Sequence, residues 1–156
     1  MTLMARAGFD IRAAGPKDLS ALMDLYRELQ PDDAEMGAPL AHERFTQMLA
    51  HPGMKVFLAF SGERAVSTIT LVIIPNLTRG GAPYALIENV VTHAAHRQRG
   101  YSGALIRHGL DCAWKAGCYK VMLLSGSRNP ATLDFYRHCG FVQDKTGFQI
   151  RRPASL

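Results

Sequence analysis

The chain has 156 residues, of which 47% are hydrophobic and 20% charged, and its formal net charge at pH 7 is +5. This composition is ordinary for a globular protein and excludes a disordered or fibrous chain. No apolar run approaches the roughly 18 residues of a membrane-spanning helix, and Arg6 interrupts the region where a signal peptide would need its apolar core. We therefore expect a single domain over residues 1–156, cytoplasmic and without a membrane partner.

The spacing of the cysteines and of the basic residues indicates which ligands to expect. Cys112, Cys118 and Cys139 are odd in number and match no zinc-ligand spacing, so we expect reduced thiols and no metal site. The basic residues are scattered, apart from short clusters at 96–99 and 151–152. Clusters of this size suit a small polyanion better than a nucleic acid, which we do not expect as a partner.

The first half of the chain predicts a strand, two helices and a hairpin. Residues 9–13 form a short extended run, and a helical period follows. A weaker helical period covers residues 40–50, and two apolar or β-branched runs, 55–60 and 65–74, flank a short Ser-Gly-Glu-Arg turn. The residues that share one face of the first helix are Leu19, Leu22, Met23, Tyr26 and Leu29.

The second half predicts alternating strands and helices. A strand at 84–92 precedes a long helix at 101–116, and a buried strand at 120–125 precedes a short helix at 129–138. Residues 141–150 predict a last strand. The element order is therefore β-α-α-β-β-β-α-β-α-β, which is typical of a mixed α/β (α+β) domain.

The segment between the strand at 84–92 and the long helix carries the strongest chemical signal. It reads Arg97-Gln98-Arg99-Gly100-Tyr101-Ser102-Gly103. Glycines let the backbone approach a ligand closely, the first turn of a helix offers unpaired N–H groups and a positive dipole end, and arginines add charge-assisted donors. The pattern predicts an anion site, with a plain glycine turn and surface arginines as the alternative on this segment alone.

Two familiar phosphate-binding motifs do not fit the turn. The Walker pattern Gly-x4-Gly-Lys-Ser/Thr does not occur in the chain. The dinucleotide fingerprint needs Gly-x-Gly-x-x-Gly and an acid about twenty residues later. Gly100-x-x-Gly103 lacks the first glycine, and position 123 is Leu. The turn therefore indicates another way of holding a phosphate group.

The turn resembles the signature Arg/Gln-x-x-Gly-x-Gly/Ala of the GNAT superfamily of acyl-CoA-dependent N-acetyltransferases. Arg97 and Gly100 match it, whereas Ser102 stands at the Gly/Ala position and places a hydroxyl beside the phosphate. A second, independent segment at 129–141 resembles the family's helix Asn-x-x-Ala-x-x-Phe-Tyr-x-x-x-Gly-Phe, with Thr132 in place of its alanine. Two matches separated by a helix and a strand make coincidence a poor explanation.

Within the family, three segments look similar to the glucosamine-6-phosphate N-acetyltransferases. They lie at 87–91, 117–121 and 147–151. Asn89 stands where those enzymes usually carry Asp. The similarity therefore indicates the family, while the difference leaves the acceptor open.

The resemblance implies a GNAT-like fold, with a mostly antiparallel twisted sheet and helices on both faces, and acetyl-CoA as cosubstrate. Carried over position by position, the backbone at Val90 and Val91 would contact the pantetheine arm and Asn129 the middle of the cofactor. Arg151 would contact a substrate phosphate, with a solvated C-terminal charge as the alternative. The residues that would hold the pyrophosphate side are Arg97, Gln98, Arg99, Gly100, Tyr101, Ser102 and Gly103.

Acetyl transfer requires a neutral amine, and at pH 7 only about one alkyl ammonium in a few thousand is neutral. Glu88 is a candidate base, because a carboxylate within an apolar strand should be paired or face a cleft; simple solvent exposure is the alternative. His93 or a water chain could act instead. Tyr136 occupies the position of the family's general acid, which would protonate the leaving thiolate.

We therefore expect an acetyl-CoA-dependent N-acetyltransferase that acts by direct attack of a primary amine, carried by a small molecule such as an amino sugar. The alternatives are acetylation of a protein N-terminus or lysine, and a non-catalytic acyl-CoA sensor, which Ser102 and Asn89 would allow. Relatives in the family also lead us to expect a homodimer.

Overall fold

The computed structural model describes residues 8–154. Its contacts divide into two compact units, one ending at Leu123 and the other beginning at Leu124. The expectation of a single domain over the whole chain stays a prediction.

The first unit is built on a five-stranded sheet. Neighbouring strands in sequence are also neighbours in the sheet, in the order β1-β2-β3-β4-β5. The first four are antiparallel, and β5 joins β4 in parallel through the pairs Ala85–Val121 and Leu86–Met122. The strands are β1 (Asp10–Ala13), β2 (Met54–Ser61), β3 (Arg64–Ile74), β4 (Tyr84–Thr92) and β5 (Val121–Met122).

Three α-helices of the first unit cover the sheet. They are α1 (Leu19–Leu29), α2 (Ala38–Ala50) and α3 (Tyr101–Lys115), with short 3-10 turns at Pro16–Asp18, Arg79–Gly81 and Ala94–His96. The predicted helices and the first four strands are confirmed to within about two residues at each end, which is the usual disagreement over helix ends. Because α3 begins at Tyr101, the Arg97–Gly103 segment does lead directly into a helix.

Helices lie on both faces of the sheet. On one face, α1 and α2 pack on β-strand side chains in a core of Leu22, Leu25, Phe45, Val56, Leu58, Ala65 and Val91. On the opposite face, α3 packs so closely that a Cβ on Gly109 would lie 3.0 Å from the Ile69 side chain. The predicted mixed fold with helices on both faces is confirmed.

The second unit has one helix, α4 (Pro130–His138), among its described residues. Asn129 caps it, because its side-chain oxygen accepts a hydrogen bond from the N–H of Ala131 at 3.0 Å. The predicted helix at 129–138 is confirmed.

One predicted strand is shorter and less buried than expected, and one is wrong. The buried strand expected at 120–125 is only Val121–Met122 and half-buried, and Leu124 is already 72% exposed. The last strand expected at 141–150 does not form: Phe148 and Ile150 are 91% and 98% exposed. Its apolar residues are interrupted by the polar and glycine residues 143–147, which disfavour a strand, and nothing in the described chain pairs with it.

Candidate active site

The middle of β4 contains a bulge. Thr70 of β3 lies opposite Glu88 and Thr68 lies opposite Val91, so Asn89 and Val90 together face Ile69. Asn89 adopts the left-handed conformation, with φ of 52°. A bulge leaves one residue's backbone groups outside the ladder and redirects the side chains beside it. Backbone groups are thus available where the resemblance expects the pantetheine arm.

Glu88 is exposed and lies on the face of the sheet that α1 covers. Directly opposite residues of an antiparallel pair share a face, and Thr70 is opposite both Glu88 and the core residue Val56. The α1 residue Tyr26 lies near the same place, because Thr70 and Asn89 both influence its pKa. The candidate base is therefore on the α1 side of β4, next to the bulge.

Two buried hydroxyl groups on this α1 side lack partners. The Tyr26 hydroxyl and Thr70 Oγ1 form no completed hydrogen bond in the described part of the chain. Burial raises the pKa of Tyr26, and the nearby Thr70 and Asn89 side chains oppose part of that rise. Buried polar groups normally find partners, so this face keeps unused hydrogen-bonding capacity.

The turn that follows β4 is fixed by Glu28 at the end of α1. One Glu28 oxygen accepts the N–H of Ala94 at 2.7 Å and lies 3.5 Å from the Arg97 guanidinium. Arg97 also donates through Nε to the carbonyl of Thr92 at 3.2 Å. These contacts hold the backbone and the first arginine of the predicted cradle.

The glycine of the cradle has a conformation that few other residues tolerate. Gln98 and Gly100 both have positive φ, 59° and 89°, and Gly100 is the N-cap of α3. A left-handed residue followed by the helical Tyr101 turns successive N–H groups toward one point, which makes an anion-binding concavity. A Cβ on Gly100 would lie 3.1 Å from the Phe9 ring. The geometry suits a phosphate group at this helix end.

Positive charge at the cradle comes from arginines rather than from histidine. Arg97 and Arg99 are exposed. Burial, followed by the positive charge of Arg99, lowers the pKa of His96, so this imidazole is neutral at pH 7. The basic cluster seen in the sequence at 96–99 is therefore carried by its two arginines.

Three hydroxyl groups connect the end of β4 to the start of α3. Ser102 Oγ lies 2.5 Å from Thr92 Oγ1, which lies 2.6 Å from Ser67 Oγ, and Ser67 donates to the carbonyl of Val91 at 3.1 Å. Ser67 and Thr92 are buried. Sequence reasoning missed Ser67, Thr92 and Glu28. The one available signal was for Ser67, a polar residue within the apolar run 65–74.

His93, the alternative base, is occupied by structural contacts. Its Nδ1 accepts the N–H of Ala95 at 3.2 Å, and its Nε2 lies 3.3 Å from Glu28 and 2.8 Å from Arg64. A base must offer a free nitrogen lone pair to a proton. Both ring nitrogens of His93 are thus engaged, and the choice among Glu88, His93 and a water chain as the base stays a prediction.

The second unit carries the remaining predicted residues. Tyr136 is half-buried in an aromatic group, with ring centroids 5.1 Å from Phe135 and 6.3 Å from Phe141. Burial raises the pKa of Tyr136, and Cys139 adds to the rise. Arg151 is exposed, and the side-chain oxygen of Asn129 is engaged in capping α4.

Residues 8–154 contain neither a cluster of metal-ligating side chains nor a membrane-spanning helix. No group of three or more His, Cys, Asp or Glu side chains there could hold a metal ion. None of the helices in that range has the length and apolar character needed to cross a membrane.

The sequence is similar to that of known acetyltransferases. The model of the acetyltransferase (GNAT) family matches residues 19–141. A curated relative, glucosamine 6-phosphate N-acetyltransferase of Trypanosoma brucei brucei, is 33% identical over 132 residues, covering 85% of this chain and 88% of that protein.

Solved structures agree with this match. A protein assigned as an acetyltransferase from Agrobacterium tumefaciens str. C58 is 52% identical, with a TM-score of 0.89, and the match covers 92% of this chain and 99% of that one. A Trypanosoma brucei acetyltransferase is 27% identical, with a TM-score of 0.80 and the same coverage.

The chain therefore belongs to the acetyltransferase (GNAT) family. It is an N-acetyltransferase, and enzymes of this family take the acetyl group from acetyl-CoA. The family and the enzyme class expected from the two sequence motifs are confirmed.

Proposed function

We propose that this enzyme transfers the acetyl group of acetyl-CoA to the primary amine of a small, polar metabolite of the amino-sugar class. The observation that carries the proposal is the β4–α3 junction, where a bulged strand runs into a left-handed glycine turn that opens a helix. Support for the acceptor class comes from the relative at 33% identity, which is named for glucosamine 6-phosphate.

The cradle fits a pyrophosphate. The first N–H groups of α3 have no partner within the helix, and the helix dipole favours an anion at this end. Two exposed arginines, Arg97 and Arg99, add positive charge. The remaining contacts of this proposal are the backbone of Val90 and Val91 to the pantetheine arm and the amide of Asn129 to the middle of the cofactor.

In the proposed reaction the acceptor amine attacks the thioester carbonyl. Glu88 removes the amine proton, directly or through water, and the bulged backbone N–H near Val90 stabilises the oxyanion. The C–S bond then breaks, and the thiolate takes a proton from Tyr136. Its raised pKa keeps the hydroxyl protonated at physiological pH, as a proton donor requires. Arg151 would bind an acceptor phosphate.

The first experiment measures binding and then turnover. Acetyl-CoA at concentrations well above its Kd should raise the Tm, because a ligand that binds only the folded state stabilises it. Thiol release is then followed with glucosamine 6-phosphate, glucosamine, a lysine peptide and a peptide with a free N-terminus. Turnover with the sugar amines supports the proposal; turnover with peptides alone, or binding without turnover, contradicts it.

A tyrosine variant tests the acid. Tyr136→Phe should lower kcat about 10-fold or more while leaving the Kd for coenzyme A unchanged. Tyr119→Phe is the control, since Tyr119 is 38% exposed and has no role in the proposal. Loss of binding without loss of rate would show that Tyr136 only supports the fold.

A further inference from the structure

Ser102 stands at the family's Gly/Ala position, and its hydroxyl proton is already committed to a hydrogen bond within the protein. Ser67 has a single hydroxyl proton, and it donates that proton to the carbonyl of Val91, which can only accept. The 2.6 Å contact between Ser67 and Thr92 must therefore use the Thr92 proton. The 2.5 Å contact between Thr92 and Ser102 must then use the proton of Ser102.

We propose that Ser67, Thr92 and Ser102 form a proton-ordered chain in which Thr92 is a positioning residue for the pyrophosphate cradle. All three protons point inward, from α3 toward the sheet. Ser102 is left with lone pairs only on its outer side, and phosphate oxygens are also acceptors. Ser102 therefore holds the first turn of α3 and does not donate to the phosphate.

The chain of three hydroxyl groups acts on the geometry of the cradle. Thr92 is the last residue of β4, and its carbonyl accepts the bond from Arg97. Its hydroxyl accepts the bond from Ser102, which lies in the first turn of α3. One residue thus fixes both an arginine and a helix start, so that less ordering remains when the anion binds.

This inference rests on the proposed use of coenzyme A, and its test compares two variants. Thr92→Val and Ser102→Ala each break the same hydrogen bond. Each should weaken coenzyme A binding by about fivefold, the effect of one lost hydrogen bond. The double variant should bind coenzyme A no more weakly than either single variant, because the hydrogen bond between Thr92 and Ser102 can be lost only once. Thr92→Ser keeps the hydroxyl and should bind like the wild type.

A second ligand separates positioning from general damage. S-acetylpantetheine lacks the pyrophosphate, so its KM should be the same in the wild type and in the variants. A fold defect would raise this KM as well and would overturn the inference. Thr70→Val is the matched control for coenzyme A affinity, because Thr70 is a buried threonine whose hydroxyl has no completed hydrogen bond among the described residues.

Two other outcomes also overturn the inference. If Ser102→Ala weakens binding while Thr92→Val does not, Ser102 donates directly to the phosphate. If both variants bind coenzyme A like the wild type, the chain of hydroxyl groups has no role in the cradle. Failure of the wild type to bind coenzyme A would instead refute the proposed function itself.

Discussion

Thr70 and Thr92 are both buried threonines of one sheet, and their hydroxyl groups are in opposite situations. Thr92 Oγ1 has two hydroxyl partners, whereas Thr70 Oγ1 has none in the part of the chain that the structure describes. The end of β4 at the proposed cradle is thus already hydrogen-bonded in the structure. The α1 face beside Glu88 keeps polar capacity that a ligand or water can use.

Within the described residues, helix α1 also carries one polar side chain that is hydrogen-bonded and one that is not. Glu28 binds the backbone and the arginine of the cradle turn, while the hydroxyl of Tyr26 closes no hydrogen bond. A preorganised site binds one ligand with little loss of entropy. A face with unused hydrogen-bonding groups suits a more variable ligand.

The largest expected effect is on the acceptor side. Glu88→Gln should lower kcat about 100-fold or more, because an amide cannot take the amine proton. The Kd for coenzyme A should stay the same. Rates of thiol release at saturating acetyl-CoA measure the change, and Glu63→Gln, in the exposed turn between β2 and β3, is the control. An unchanged kcat would move the base to His93 or to water.

On the cofactor side, Arg97→Ala should raise the Kd for coenzyme A about tenfold or more, because a charge-assisted hydrogen bond is lost. The dependence of this Kd on salt should also become shallower, since one fewer cation contacts the ligand. Titration calorimetry at two salt concentrations measures both effects, with the exposed Arg107→Ala as control. Equal affinities for the two variants would remove Arg97 from the cradle.

A matched pair of threonine variants tests the comparison directly. Thr92→Val should lower the free energy of unfolding by about 1–2 kcal/mol, because its partners lose their bonds. Thr70→Val removes a hydroxyl without a completed bond, so stability should stay the same or rise by up to about 1 kcal/mol. Urea unfolding of the two proteins gives the difference. Equal losses would mean that the two hydroxyls are equally bonded.

The smallest effect is expected at Tyr26. Tyr26→Phe should change the free energy of unfolding by less than about 0.5 kcal/mol, since the hydroxyl has no completed bond to lose. Any functional change should be confined to the KM of the acceptor. A loss above about 1 kcal/mol would show that the hydroxyl is bonded to Thr70 or Asn89 in solution.

Local sequence signals predicted β4 and the start of α3 well. The run at 84–92 is apolar and β-branched, and Gly100 before the helix marks a turn. The predicted strand at 141–150 was wrong because the apolar residues at its two ends were given more weight than the polar and glycine residues 143–147 between them. For the site, the motif located the cradle, whereas neither the bulge nor the left-handed Gln98 has a local signature.

The hydroxyl chain was also invisible in the sequence. It joins residues that lie 25 and 10 positions apart, and Ser67 looks equivalent to Thr70 in the same apolar run. Only the packing of β3 against β4 and α3 decides which of these hydroxyls is bonded.

Gly100 illustrates how the cradle constrains sequence drift. An L residue there would keep a left-handed backbone at a cost of about 1–2 kcal/mol, and its Cβ would press on the Phe9 ring. Substitution would thus require a strained backbone at position 100 together with a change at position 9. Among homologues that retain an aromatic ring at position 9, glycine at position 100 should be nearly invariant, while position 102 should vary among small residues.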